Sequence, residues 1–275
     1  MANIKTIKAL SVAGFDGSGG AGITSDAKIF SRFKIFGLSA ITVMTAQNPD
    51  NIYIAEPVSD TFFLSELNAV FDYFTIDVVK IGLIFNECQG LILSKFLDKY
   101  KPKIIIVDPV HISTSNKVLT GESAYPDFLM PLFRYATVIT PNIREAELIA
   151  GMDIKDIEGM KTAARVIRKK IPEIKNIIIK GSHLSKKSDR NKIFDIILNS
   201  KNEFFIYSGN RLELKKEIHG TGCAFSACLA SQLANGAEIK EALNYTEKFV
   251  NKIMRELSKI PDNDSEKGIY ITGNI

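Results

Sequence analysis

The run Ala9-Leu10-Ser11-Val12-Ala13 passes without interruption into Gly14-Phe15-Asp16-Gly17-Ser18-Gly19-Gly20-Ala21-Gly22, and beyond it, after Asp26, Ala27, Phe30, Phe33 and Lys34 fall at helical spacing. An apolar strand, a turn with five glycines in nine residues and a helix predict one strand-to-helix unit whose loop brings backbone close to a ligand. The unit repeats. Ala40 to Ala46, Val78 to Leu83, Ile104 to Val107, Thr137 to Thr140 and Ile177 to Ile179 are further short apolar runs, separated by segments of helix length and period. Continuous rather than alternating runs mark parallel strands covered on both faces. The expected fold is therefore a doubly wound α/β sheet with right-handed crossovers, with ligands beyond the carboxyl ends of the strands.

The pattern changes near the end of the chain. Ile193 to Leu198 and Glu203 to Tyr207, joined by Asn199-Ser200-Lys201-Asn202, predict a hairpin. Ser185 to Asn191 and Pro261 to Lys267 are polar enough to predict loops, and Ile269 to Thr272 reads as a last strand.

Composition narrows the function. With 275 residues, 45% hydrophobic and 24% charged, the chain is neither disordered, nor collagen-like, nor a disulfide-stapled miniature, and it is long enough for a single domain over residues 1–275. Thirty-five Lys plus Arg against 31 Asp plus Glu give a net +4 that is scattered along the chain, which implies no nucleic-acid partner. The three cysteines, Cys88, Cys223 and Cys228, lack CxxC spacing, so neither a disulfide framework nor a zinc knuckle is expected. The N-terminus has no signal-like apolar stretch and no run is long enough to span a bilayer. A soluble protein of the reducing cytoplasm, without a membrane partner, is the expectation.

Gly17, Gly19 and Gly22 satisfy the glycine pattern of dinucleotide-binding units, but the acid that holds the ribose about 20 residues further on is missing. The second strand ends instead in Thr45-Ala46-Gln47-Asn48. No Gly-Lys-Ser/Thr follows the loop, which excludes a Walker A site. A second glycine turn, His219-Gly220-Thr221-Gly222-Cys223, opens a small-residue helix from Ala224 to Ala234 that ends at Asn235-Gly236. Free first-turn amides and the helix dipole suit an anion such as a transferring phosphoryl group. A thiol placed there should be acidified and could act as base. On the residues alone, a purely structural role for either glycine turn and for Cys223 stays open; Cys228 reads as a small buried hydrophobe.

Taken together, these pieces resemble the ribokinase-like superfamily and, within it, the hydroxymethylpyrimidine/phosphomethylpyrimidine kinases of thiamine synthesis. The similarity runs through Ala13-Gly14, Asp16, Ser18 to Ile23, Asp26, Lys28, Thr45 to Asn48, Val79-Lys80-Ile81-Gly82, Asp108-Pro109-Val110, Thr114-Ser115, Thr140-Pro141-Asn142 with Glu145, Lys180-Gly181 with His183, and His219 to Cys223. Cysteine at 223, where sugar kinases of the superfamily carry Asp, resembles the pyrimidine kinases and their pyridoxal-kinase relatives. The resemblance implies a ribokinase-like fold with a small flap or hairpin, a homodimer, and phosphorylation by ATP with Mg²⁺ of a small pyrimidine and then of its monophosphate. It further implies that Gly14, Asp26, Gln47, Leu83 and Val110 hold the pyrimidine, Asn142 and Lys180 hold ATP, and Asp108 and Glu145 hold Mg²⁺. Gly220, Thr221, Gly222 and Cys223 would carry the transfer itself. Asp26, Glu145 and Lys180 could instead be a helix cap, a first-turn charge and an exposed strand-end lysine. His111, His183 and His219 read as structural. Phe15, Gly17, Thr24-Ser25 and His111 depart from the family pattern and put substrate identity in question. The alternatives are a pyridoxal or pyridoxine kinase, disfavoured because the flap His111 to Asn116 lacks cysteine, and a non-catalytic pyrimidine-binding paralogue.

Overall fold

The computed structural model describes residues 6–48, 51–110, 125–182, 192–212, 217–259 and 268–270. Its elements in chain order are β1 (Lys8–Asp16), α1 (Gly22–Arg32), β2 (Phe36–Gln47), β3 (Ile52–Pro57), α2 (Asp60–Tyr73), β4 (Val78–Ile81), α3 (Glu87–Tyr100), β5 (Ile104–Val107), α4 (Met130–Phe133), β6 (Val138–Ile139), α5 (Ile143–Ala150), α6 (Ile157–Lys170), β7 (Asn176–Ile179), β8 (Lys192–Leu198), β9 (Phe204–Asn210), β10 (Glu217–His219), α7 (Thr221–Ala234), α8 (Ile239–Leu257) and β11 (Gly268–Tyr270). Nine strands form one sheet in the order β3-β2-β1-β4-β5-β6-β7-β8-β9. The run from β2 to β7 is parallel, and β3, β8 and β9 are antiparallel additions at its two edges. This is the mostly parallel α/β sheet, with helices on both faces, expected from the alternation of strand and helix.

Both faces of the parallel strands are covered, which is why their sequences are apolar throughout. Alternate residues separate the faces. Leu10, Val79, Ile81, Ile105, Val107, Ile139, Ile177 and Ile179 pack with α2 to α6 on one side. Ala9, Val78, Ile106, Val138, Ile178 and Ile197 pack with α1, α7 and α8 on the other. Helix α7 is buried from Ala224 to Ser231, so its small, all-round apolar sequence is that of a central helix rather than an amphipathic one.

The structure departs from the sequence expectations in three places. The buried face of α1 is Ile23, Ser25, Asp26, Ile29 and Phe30, whereas Ala27 is exposed and the helix stops before Phe33 and Lys34. The buried face thus includes a carboxylate, whose partner, described below, comes from β4. β2 begins at Phe36, earlier than its apolar centre, and its far end pairs with β3, a strand whose exposed, mixed sequence gave no signal. The hairpin of β8 and β9 is present, closed by Asn199, whose Oδ1 accepts from the amides of Lys201 and Glu203. The last strand, β11, pairs with β10 in a separate two-stranded sheet. The expected loops at 185–191 and 261–267, the flap at 111–116 with His111 and Thr114-Ser115, His183, and residues 271–272 lie outside the described residues.

Candidate active site

The face covered by α1, α7 and α8 becomes polar at the carboxyl ends of its strands. Two residues beyond an apolar member of each strand come Ser11, Lys80, Asp108, Thr140, Lys180 and, on the antiparallel β8, Asp195 two residues before Ile197. Period-two alternation therefore sends all six side chains to one side of the sheet. The glycine loop and the first turns of α1 and α7 lie against this row.

The loop is organised by Asp16, which is fully buried and ends β1. Its carboxylate accepts from the hydroxyl and amide of Ser18 and from the amides of Gly20 (3.1 Å) and Ala21 (2.9 Å). Gly22 has φ +58°, and a Cβ there would lie 1.9 Å from the Gly14 carbonyl oxygen, so only glycine closes the loop on the β1 bulge at Gly14. Leu83 approaches Gly14 from β4's extension, 3.4 Å from where a Cβ would stand. The Phe15 ring turns toward Gly17, 3.6 Å from its Cβ position.

Behind the loop, Asp26 accepts from Lys80 Nζ (2.9 Å) and Ser11 Oγ (2.5 Å), with both charged side chains wholly buried. Burial drives the Asp26 carboxyl above its ordinary range, against the pull of Lys80. Burial opposes the Lys80 charge as well, but Asp26, Cys223 and Asp108 together hold its ammonium above the usual lysine value. Asp26 Oδ1 is buried with no hydrogen-bond partner. An unpaired buried acceptor costs about 1 to 3 kcal/mol, so a ligand donor there would recover it.

Lys180 makes the second charged pair. Its Nζ lies 3.0 Å from Asp108 Oδ1, which also accepts from Thr140 Oγ1 (3.0 Å), while Asp108 Oδ2 accepts from Ser226 Oγ of α7 (3.0 Å). Burial works against the Lys180 ammonium, yet Asp108 and Glu145 raise it above its normal value. Glu145 and Asn142 form a capping box at the start of α5: Glu145 Oε2 accepts from the Asn142 amide (2.8 Å) and Asn142 Oδ1 from the Glu145 amide (3.0 Å). Lys180 is thus not an exposed strand-end lysine, and Glu145 both caps its helix and faces the site cation.

Side chains cap α2, α3, α5 and α6 at their N-termini, but the N-cap of α7 is Gly220 at φ +79° with no side-chain cap. A Cβ on Gly222 would point at Lys180 Nζ (3.8 Å) and Asp108 Oδ2 (3.9 Å). The uncapped turn and the Lys180 ammonium therefore converge on the same space, as an anion-binding site requires. Cys223, half-buried in that turn, is not acidified as sequence position suggested. Burial raises its thiol, Lys80 and the Gly22 amide lower it, and Asp26 and Asp108 raise it again, leaving it above the ordinary cysteine value. The helix start is outweighed first by burial and then by the two carboxylates that share the pocket.

Gly14, Asp26, Leu83, Asp108, Asn142, Glu145, Lys180, Gly220, Thr221, Gly222 and Cys223 are thus brought to one end of the sheet. Gln47, half-buried at the end of β2 opposite Ile52, is joined to Asp26 by no hydrogen bond among the described residues. Val110 follows β5 and is half-buried beside Pro109, whose carbonyl accepts from Tyr125 Oη (2.8 Å). Sequence reasoning assigned no role to Ser11, Lys80, Thr140 or Ser226. Lys80 carried a usable signal, a lysine inside an otherwise apolar strand.

Mg²⁺ is taken by hard oxygen donors and keeps several waters. No group of three or more His, Cys, Asp or Glu side chains among the described residues could cage a metal. Asp108 and Glu145 offer two carboxylates on either side of Lys180, both already engaged by protein donors. This donor set fits a hydrated ion shared with phosphate oxygens.

A family model described as phosphomethylpyrimidine kinase matches residues 16–266. The hydroxymethylpyrimidine/phosphomethylpyrimidine kinase of Haemophilus influenzae is 35% identical over 250 residues, 91% of each chain. A thiamine biosynthesis bifunctional protein of Geobacter sulfurreducens is 33% identical over 246 residues, 90% of this chain and 49% of its own. The chain spans about half the length of the bifunctional relatives it matches. Among solved structures, a phosphomethylpyrimidine kinase from Clostridium difficile is similar at TM-score 0.75 and 34% identity, covering 90% of this chain and 99% of that one. The ADP complex of Bacillus subtilis pyridoxal kinase is similar at TM-score 0.79 and 30% identity, covering 91% and 92%. With most of its length matched by the family model and by relatives above 30% identity, the chain belongs to the phosphomethylpyrimidine kinase family.

Proposed function

We propose that the protein uses Mg·ATP to phosphorylate 4-amino-5-hydroxymethyl-2-methylpyrimidine and then its monophosphate, the two steps that supply the pyrimidine diphosphate for thiamine. The observation that carries this reading is the Lys180 ammonium, held by Asp108 in front of the uncapped first turn of α7. The pyrimidine hydroxymethyl oxygen attacks the γ-phosphorus, the bond to the bridging oxygen breaks, and ADP leaves. Lys180 and the Gly220 to Cys223 amides offset the charge on the transferring group, and Asn142 borders the nucleotide from the neighbouring strand end. Asp108 and Glu145 would hold the metal, which supplies charge neutralisation between the phosphates when bound. Asp26, through its unpaired Oδ1, and Gln47 would bond the polar edge of the ring, with Gly14 permitting its approach and Leu83 and Val110 packing on its faces. Cys223 takes the hydroxymethyl proton from its thiolate form; the monophosphate, largely dianionic near pH 7, needs no base.

A pyridoxal or pyridoxine kinase is the second reading, favoured by the similarity to the Bacillus pyridoxal kinase and opposed by the absence of cysteine from residues 111–116. The buried, charge-balanced pairs of Lys180 with Asp108 and of Lys80 with Asp26 favour turnover over a binding-only paralogue. ATP consumption measured separately with the hydroxymethylpyrimidine, its monophosphate, pyridoxal, pyridoxine and ribose decides. Turnover with pyridoxal above that with both pyrimidines would overturn the primary reading.

A homodimer is supported by the ribbon of β2 and β3, where Met44, Ala46 and Ile54 form an exposed apolar face beyond the sheet. Light scattering should give a dimer that Ile54→Asp dissociates. The three free thiols and the lack, among the described residues, of any helix long and apolar enough to cross a membrane agree with a cytoplasmic enzyme.

A further inference from the structure

One buried acid pair lies beside the Lys180–Gly181 turn. Asp195 of β8 and Glu247 of α8 are 2% and 6% exposed, and their carboxyl groups are hydrogen-bonded to each other. Asp195 Oδ1 also accepts the Gly181 amide at 2.7 Å. Gly181 leaves no room for a side chain: a Cβ there would sit 1.9 Å from the Phe194 carbonyl oxygen. The preceding residue is Lys180, whose amide donates to the Pro141 carbonyl (2.9 Å) and whose Nζ meets Asp108. The Lys180–Gly181 turn is thus anchored by Pro141 and Asn142, between β6 and α5, and by β8, and the anchor from β8 is a carboxylate.

Two carboxylates cannot both be ionised while hydrogen-bonded in a dry pocket. One keeps its proton. Glu247 is the group that does so: burial, then the Asp195 charge, push its carboxyl up to about 10. Besides Asp195, the groups facing Glu247 are Lys180 from β7, Tyr207 from β9 and Asn251 on its own helix, whose Nδ2 donates to Glu247 Oε2 (3.3 Å).

We propose that Glu247 is a positioning residue for nucleotide binding, a neutral acid that donates its proton to Asp195, fixes Asp195 on the Gly181 amide and so sets Lys180 in front of α7. This rests on the kinase reading of the Lys180 site. A neutral hydrogen-bond donor is what the position requires, so glutamine should replace Glu247 and a side chain without a donor should not.

The test compares wild type with Glu247→Gln and Glu247→Ala in the full chain at neutral pH. Infrared difference spectra read the carbonyl stretch of a protonated carboxylic acid, calorimetry reads Mg·ATP binding, and thermal unfolding reads stability. The expected result is an acid band in wild type that both variants lose, Mg·ATP affinity within about twofold of wild type in Glu247→Gln, and a loss of about tenfold or more in Glu247→Ala, in line with the 10- to 100-fold typical of outer-shell support. The absence of the band, or Glu247→Gln weakening ATP as much as Glu247→Ala, overturns the neutral-acid role. Unchanged ATP affinity in both variants, with only the melting temperature lowered, reduces Glu247 to packing and overturns the positioning role. A wild type that binds no nucleotide sinks the kinase reading and the positioning role with it, while the infrared band still reports the acid pair.

Discussion

Lys80→Met keeps an unbranched stem one atom shorter and removes the ammonium with its hydrogen bond, leaving Asp26 buried with Ser11 as its remaining partner. Breaking a buried ion pair from one side typically costs about 3 to 5 kcal/mol. At roughly 2 to 4 °C per kcal/mol for a chain of this size, the melting temperature should fall by about 6 to 20 °C. Asp26→Asn, which strands the Lys80 ammonium instead, should cost a similar amount. The double variant carries neither charge, and its loss should fall short of the sum by about 2 to 3 kcal/mol, the upper range for residues in contact. The pH dependence has a definite sign. Asp26 lies above its ordinary pKa already, and without Lys80 it must rise further. A folded-state pKa above the unfolded value contributes stability at low pH that is lost as pH rises through the folded value. The Lys80→Met deficit should therefore be small in acid and grow toward neutrality. Thermal unfolding of the four proteins across that range is the assay. Strict additivity, or a deficit independent of pH, would refute the view of Lys80 and Asp26 as one buried unit. Lys80 also lowers the Cys223 thiol, so Lys80→Met should slow alkylation of Cys223 at fixed pH.

Glu145→Gln retains the capping box, since glutamine serves there as well as glutamate, and should leave stability within about 0.5 kcal/mol while raising the Mg²⁺ concentration needed for turnover. An unchanged Mg²⁺ titration would remove Glu145 from the metal. Because the Cys223 thiol lies above its usual range, the single-turnover rate with hydroxymethylpyrimidine should climb up to tenfold per pH unit between pH 7 and 9. The rate with the monophosphate should stay flat, and Cys223→Ser should abolish the climb; equal loss in both steps would leave the thiol as packing. Gly22→Ala combines a positive φ with a Cβ 1.9 Å from the Gly14 carbonyl, so the loop must open. Pyrimidine KM should rise far more than ATP KM, and parallel rises would assign the glycine to general folding.

How much of this was legible before the structure follows from period. The central strands could be read because burial on both faces makes them apolar without alternation, and the helices between them because one face must be buried. β3 could not be read, since Tyr53 and Ile54 stand exposed on an edge ribbon where no core selects the pattern. The glycine turns announced themselves through residues that only a close backbone contact requires, as Gly22 against Gly14 shows. What stayed hidden was pairing. Asp26 read as a pyrimidine ligand and Lys80 as part of a motif, with nothing to link them, because their 54-residue separation is bridged by the parallel pairing of β1 with β4 and by the packing of α1 on β1.

The same pairing explains why the thiol disagreed with its position. A helix start acidifies a cysteine when the surroundings are otherwise neutral or cationic. Here the row of strand ends brings two lysines and two aspartates around Cys223, and the two lysine charges are already matched by Asp26 and Asp108. A thiolate would add a third anion to a balanced set in a buried place. Only an incoming group that changes this balance, or a higher pH, favours the ionised form. Burial first, and then the charges of Lys80, Asp26 and Asp108, on three elements remote in sequence from α7, therefore govern the acidity of Cys223 more than the helix it starts.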